Sequence, residues 1–201
     1  MGSGHTLPDP GEAFGMTLPN WPRIPPAHGA IQLRPVERRD VDMARKLSTD
    51  PYVPLTGSLP GNASRAEASS WVRRQQGRHA EGRGFSFAIA RQDDDYAVGH
   101  CGLWLKDLDT GRATAGYAIV PSDRGCGYAT DALSALTEFG LSIPEVLRIE
   151  LYIEPWNIPS LRTAERGGYL RGQLVVGHQA IGGRLRDMIE YSTPIRRPSD
   201  E

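Results

Sequence analysis

The 201-residue chain has only two cysteines, Cys101 and Cys126, too few for a disulfide framework and without the CxxC or Cys/His spacing of a zinc site. No uncharged apolar run approaches the ~20 residues that cross a bilayer, and no basic stretch followed by an apolar segment opens the chain. Neither sign of charge is in excess: 23 Lys plus Arg face 24 Asp plus Glu, a formal net charge of −1, so no global basic field serves a nucleic-acid backbone. Lysine is nearly missing, since Lys46 and Lys106 are the only two among those 23 cations, a bias that GC-rich codon usage explains without any mechanism. These absences argue against a stapled secreted scaffold, a metal site, a membrane protein and a direct nucleic-acid partner. The expectation is a cytoplasmic chain of one domain, long enough to bury its own core.

Glycine and proline, by contrast, are plentiful, at 23 and 16, and eleven of them fall within the first 30 positions. Proline removes backbone donors and glycine costs backbone entropy, so residues 1–29 read as a flexible leader or a vector-derived tag, with Met16 as an alternative native start. Met1 to Thr6 also fits a myristoylation pattern, for which an ordinary tail is the simpler account. Residues 30–195 then form the folded domain and 196–201 a polar tail. Asn62-Ala63-Ser64 matches a glycosylation acceptor but has no secretory context.

Within the domain, Ile31 to Pro35 alternates as a strand, and Val41, Ala44 and Leu47 follow Asp40 at helical spacing. Ser64-Arg65-Ala66-Glu67 is a capping-box sequence ahead of Ala68, Trp71, Val72 and Gln75, which predicts a second helix to about Arg78. Strands over Phe85–Ala90, Tyr96–Leu105 and Arg112–Val120 form an antiparallel meander. A helix carrying Ala129, Ala132, Leu133, Leu136 and Phe139 follows, then a strand at Arg148–Ile153, a short helix at Ser160–Arg166, and strands near Leu170–Val176 and Arg184–Ser192. The order β-α-α-β-β-β-α-β-α-β-β predicts an α/β (α+β mixed) domain. It has a central, mostly antiparallel mixed sheet of about seven strands with helices on both faces.

The most informative stretch is Val120 to Thr130, between a strand and an amphipathic helix. Gly125 and Gly127 lack Cβ atoms, so the amides at the helix start can approach an anion closely, and Arg124 can add charge-assisted bonds. Alone, this is equally the pattern of a tight turn that begins a helix. Its context adds Leu33-Arg34-Pro35 with Asp40, Gly99 to Leu103, Gly116-Tyr117, Asn157 with Ser160, and Gly167-Gly168-Tyr169, in that order. With these pieces, residues 31–192 resemble the GNAT N-acyltransferase superfamily, in particular its RimJ/RimL-type branch.

The resemblance implies acetyl-CoA or another acyl-CoA as cofactor, no metal, and a sheet that splays between its fourth and fifth strands, here about Ala115–Val120 and Arg148–Ile153. It carries the pantetheine onto the backbone of Ile119 and Val120, and the pyrophosphate onto Arg124, Gly125, Cys126, Gly127, Tyr128, Ala129 and Thr130. Asn157 and Ser160 would lie near the thiol end. The acceptor would be a primary amine, of a protein N-terminus or a small molecule, that attacks the thioester directly, and the chain would form a homodimer. The sequence also departs from the family pattern. Where many members protonate the thiolate with a Tyr seven residues after the Asn, this chain has Ala164, which leaves Ser160 as the candidate acid; Ser160 also reads as a plain helix cap. Where relatives carry a Glu before Gly-Tyr, it has Thr114, so His178, Glu150, His100 and Glu154 are the candidate bases. Cys126 has no His/Asp relay and is not expected to act as a nucleophile. Arg65, Arg73, Arg74, Arg78 and Arg83 on or just beyond the second helix suggest either a solvated face or an anionic acceptor or acyl group such as succinyl. A catalytically weak acyl-CoA-binding module is the alternative function.

Overall fold

The computed structural model describes residues 18–195. Eight strands, β1 (Ala27–His28), β2 (Ile31–Pro35), β3 (Gly84–Arg91), β4 (Ala97–Trp104), β5 (Arg112–Ile119), β6 (Arg148–Ile153), β7 (Leu170–Ile181) and β8 (Arg184–Ser192), make one sheet in the order β1-β2-β3-β4-β5-β6-β8-β7. All neighbours are antiparallel except β5 and β6. Helices α1 (Val41–Leu47) and α2 (Arg65–Gly77) cover one face, and α3 (Tyr128–Leu141) and α4 (Ile158–Arg166) the other. β3 shows why both faces need cover: Phe85, Phe87 and Ile89 belong to the core under α3, whereas Ala88 packs with α1 and α2 on the opposite side.

Local sequence explains how the elements begin. Ser64 Oγ accepts from Glu67 N at 3.3 Å while Glu67 Oε2 accepts from Ser64 N at 2.8 Å, the reciprocal capping box expected for α2. Ahead of α1, the buried Arg34 guanidinium grips Asp40 with two bonds of 2.9 and 2.8 Å and also donates to Asp95 at 2.8 Å. Asp40 is thereby spent on tying β2 to the helix start and makes no side-chain cap of α1.

Two features depart from the sequence reading. The sheet has eight strands where about seven were expected, and the extra one, β1, falls inside the stretch assigned to the leader. From residue 18 onward that stretch lies on the domain: Leu18 and Trp21 pack against the main core, with Trp21 edge-on to Phe85 and Phe87 at 5.2 and 5.1 Å. Gly29 makes this entry possible, because at its φ of +54° a Cβ would stand 2.3 Å from Asp131 Oδ2, the atom that accepts from Ala30 N. Residues 1–17, including Met16 and the myristoylation-like stretch, and the tail at 196–201 lie outside the described residues.

The feature that positions the site is the β5–β6 pair. It is parallel through Arg112↔Arg148, Ala113↔Ile149 and Thr114↔Glu150, and the register goes no further. Beyond Thr114, β5 therefore has no ladder partner on its β6 side, which is the splay the resemblance implies.

Candidate active site

The splay opens into a cleft of about 1290 Å³, whose walls include β5, β6, the start of α3, the start of α4 and the C-terminal end of α2. At the α3 end, Gly125 and Gly127 each have φ +83°, and nothing stands within 4 Å of where a Cβ would sit on either. The amides of Gly125, Gly127, Tyr128 and Ala129 have no acceptor among the described residues. This open, donor-lined helix start fits a pyrophosphate, with the unpaired β5 edge beside it for an amide-bearing chain. Thr130 does not join the cradle through its amide, which closes the first turn onto Gly127 O at 2.9 Å. Cys126 is exposed, bonds only to the Arg124 carbonyl at 3.8 Å, and does not line the cleft.

Three more expected contacts are altered by geometry. Val120 is 1% exposed and sends its N–H to Val98 O on β4, away from the opening. Ile119 lines the cleft, but its carbonyl accepts from Arg124 Nε at 3.1 Å. Arg124 Nη2 in turn donates to Asp50 Oδ2 at 2.7 Å, so this guanidinium braces the loop and keeps only its remaining donors for an anion. Asp50 also accepts from the amides of Tyr52 and Val53, and these bonds outweigh its burial and hold its carboxyl below the usual range.

In the opening itself, Ser160 Oγ lies 2.8 Å from the Tyr117 hydroxyl. The cap of α4 is Asn157, whose Oδ1 accepts from Ser160 N at 3.4 Å, so the Ser160 hydroxyl is not spent on capping. Burial pushes the Tyr117 phenol up, which keeps it a donor near neutral pH. Tyr117 was quoted in the sequence as part of Gly116-Tyr117 without a role. Its place, three residues beyond the last β5–β6 pair, follows from the sheet register and not from any local sequence signal. Ala164, where many superfamily members have Tyr, is fully buried in the core.

The candidate bases separate clearly. Glu150 is 1% exposed, and its carboxylate is held by Arg112 at 3.0 and 3.1 Å, by Arg148, and by the Tyr152 hydroxyl at 2.9 Å. Burial works against the charge, but the arginine and tyrosine bonds prevail and hold its pKa below the usual carboxylate value. Glu154 is buried too and bonded by the Tyr52 hydroxyl. His100 lines the cleft floor with its Nε2 2.7 Å from Ser86 Oγ, and burial with the nearby Arg78 charge pushes its pKa down to about 3. It is a neutral ring and a poor base. His178 stands apart, exposed at the cleft rim and stacked on Tyr152 at 3.8 Å. It is aimed there by an irregularity in β7 between Val175 and Gln179, where Gly177 takes a φ of +61°. No group of three or more His, Cys, Asp or Glu side chains that could hold a metal ion occurs among the described residues, and no helix among them is long and apolar enough to cross a membrane.

Comparison with known proteins agrees with this geometry. The sequence model of the acetyltransferase (GNAT) domain matches residues 31–170. An uncharacterised N-acetyltransferase, p20, from Bacillus licheniformis is 26% identical over 162 residues, 81% of this chain and 91% of the relative. Among solved structures, RimJ from Mycobacterium smegmatis in complex with a CoA disulfide has a TM-score of 0.71 at 23% identity, covering 85% of this chain and 84% of that one. RimL, a ribosomal L7/L12 α-N-protein acetyltransferase in complex with coenzyme A, has a TM-score of 0.71 at 18% identity over 85% of this chain and 97% of its own. A strand pair that parts beside an open helix start, matched by a domain model over most of the folded chain, has one reading: this is a transferase that belongs to the GNAT acetyltransferase family, with RimJ- and RimL-type enzymes among its structural neighbours.

Proposed function

We propose that the chain transfers an acetyl group from acetyl-CoA directly to a primary amine, of a small molecule or a protein N-terminus. The observation that carries this reading is the Tyr117–Ser160 hydroxyl pair, set in the opening that β5 and β6 leave beyond Thr114. Acetyl-CoA supplies the activated thioester. The α3 start, through Gly125, Gly127, Tyr128 and Ala129, would hold its phosphates, and Asn157 and Ser160 line the same cleft.

The chain's own groups then have three tasks. Backbone donors on the unpaired edge of β5 can meet the negative charge that develops on the acyl oxygen, and one such donor is typically worth about 3 kcal/mol. Tyr117 and Ser160 share a hydrogen bond whose proton either hydroxyl can supply, and with Tyr117 as donor the serine proton is free to pass to the departing sulfur. The proton that the amine loses on forming the amide balances the one that the sulfur gains. His178, exposed at the cleft rim and stacked on Tyr152 where the cleft-lining His100 is buried and bonded to Ser86, serves as the base for that amine proton. An α-amine with a pKa near ~8 needs little such help.

The test is thiol release from acetyl-CoA by purified protein with and without an amine panel. Amine-dependent release with the matching N-acetyl product supports the reading. Tight CoA binding without amine-dependent release favours the binding module. Succinyl-CoA in the same assay examines the charged-acyl alternative, which a strong acetyl preference removes. For assembly, the exposed Leu170, Leu174, Val176 and Leu185 on the edge hairpin β7–β8 support a homodimer, which light scattering reads as twice the 22.0 kDa chain mass.

A further inference from the structure

The five arginines on or just after α2 go to different places. Arg65 pairs with Asp42 at 3.1 Å, Arg73 donates to Ser70 Oγ at 2.9 Å, Arg74 to the Ser58 carbonyl at 2.9 Å, and Arg83 pairs with Glu81 at 3.1 Å. Arg78 alone of the five lines the cleft, and its guanidinium makes no hydrogen bond or ion pair among the described residues. Its guanidinium lies over Trp104, 5.8 Å from the ring centroid. Burial lowers its pKa, with Arg83 and Arg74 adding to the effect and Glu81 opposing it.

The wall around Arg78 is built. A Cβ on Gly102 or on Gly116 would come within 3.0 Å of the Trp104 six-membered ring, so the indole lies directly on the glycines of β4 and β5. Next to it Gln75, 1% exposed, accepts from the Ser86 hydroxyl at 3.1 Å, while its Nε2 has no partner among the described residues. Lys106 stands exposed on the same wall. The nearby acids form no ion pair with Arg78 or Lys106 among the described residues: Glu81 is paired with Arg83 and Asp50 with Arg124, and the other carboxylates that line the cleft, Asp107 and Asp123, pair with neither cation.

A half-buried cation without a counter-ion, on an aromatic face and beside a buried free amide donor, lacks one thing that a ligand can bring. We propose that this wall receives an anionic group carried by the acceptor, so that the substrate class is an amine that also bears a carboxylate or a phosphate. A guanidinium matches both groups with parallel N–H donors, and the indole face holds it in place. An acceptor with a second positive charge is disfavoured by Arg78 and Lys106 together. The inference rests on the acyl-transfer reading above, and it names the acceptor that such a cleft selects.

The experiment uses amines in matched sets, each as free carboxylic acid, as phosphate ester and as neutral carboxamide, with acetyl-CoA and the full chain. The expected result is a kcat/KM at least about 10-fold higher for a charged member than for the carboxamide. That ratio collapses toward one in Arg78→Gln and partly returns in Arg78→Lys, with the change in the acceptor KM. The two charged arms show which anion is preferred. Calorimetric titration of the CoA-loaded protein with the N-acetylated acid and the N-acetylated carboxamide reads the same preference without turnover. If binding favours the acid while no amine is acetylated, the anion site stands and the catalytic reading falls. Equal kcat/KM across the sets, equal binding of the two products, or a ratio that survives Arg78→Gln in folded protein overturns the anion site and leaves acetyl transfer intact.

Discussion

At one end of the β5–β6 pair, Glu150 draws Arg112 of one strand and Arg148 of the other onto a single buried carboxylate, beside the last paired position, Thr114↔Glu150. At the other end, three residues further along β5, no ladder pairing to β6 remains and two uncharged hydroxyls, of Tyr117 and Ser160, meet at 2.8 Å. The closed end uses charge to hold strands together, and in doing so removes its carboxylate from chemistry, because an acid held below its usual pKa by two cations is a weak base. The open end has no charge to satisfy, and its polar atoms stay available. Site and clamp therefore divide along two strands: the clamp lies where the splay begins, and the splay leaves the opening in which the proposed thioester would lie.

The largest expected effect is at the open end. Ser160→Ala should lower kcat about 100-fold with little change in KM for acetyl-CoA, since proton transfer from a positioned side chain contributes about 10²–10⁴-fold. The fold should survive, because Asn157 and not Ser160 caps α4. An unchanged kcat in folded protein would remove Ser160 from the mechanism. At the closed end the effect is on stability: Glu150→Gln should cost about 2 kcal/mol in denaturant unfolding, less than the 3–5 of a fully buried pair because both arginines are partly exposed. The pH dependence follows from the depressed carboxyl. The folded state holds its proton less tightly than the unfolded chain near 4.5, so the stabilisation is complete above about that pH and lost as pH falls through the folded value. The variant should lack this acid-side loss, and if its kcat/KM profile also lost a limb, the clamp would have to be counted as chemistry.

The same contrast shows what the sequence could reveal. The fold was legible almost throughout because strand alternation, the Ser64–Glu67 box and the spacing of Ala132, Leu133 and Leu136 are local signals. The open helix start was legible in part: Gly125 and Gly127 mark missing side chains, but by themselves they suit a tight turn equally, and only Gly116-Tyr117, Asn157 and Ser160 around them gave the pattern a context. The side-chain constellations were not. Glu150 was a candidate base until Arg112 and Arg148, one of them 38 residues away, were seen to close on it. Tyr117 and Ser160 lie 43 positions apart and meet only because the sheet opens between them. Trp21 entered the core from a proline-rich stretch that composition alone assigns to a leader, because no local pattern announces a single anchoring aromatic.

A smaller effect separates the two hydroxyls. Tyr117→Phe removes the hydroxyl bonded to Ser160 Oγ but keeps the ring, so kcat should fall about 10-fold, with KM for acetyl-CoA and thermal stability nearly constant. Tyr117 acts through Ser160, so the double variant Tyr117→Phe/Ser160→Ala should be no slower than Ser160→Ala alone. Additive losses would mean that the two hydroxyls work independently and that the pair is only a packing contact.

The smallest effect is expected at His178, which belongs to neither end but leans over the boundary by stacking on Tyr152, the residue whose hydroxyl completes the Glu150 clamp. Tyr152 is itself pushed up to about 12 by burial and by that carboxylate, so it is a donor to Glu150 and no base. If His178 takes the amine proton, His178→Ala should lower kcat/KM several-fold and remove a limb from its pH profile for an amine of high pKa, while an α-amine that is already partly neutral loses less. A limb identical to that of the wild type would discard His178 as base. The opening would then act by position alone, with an acceptor that reaches it already deprotonated.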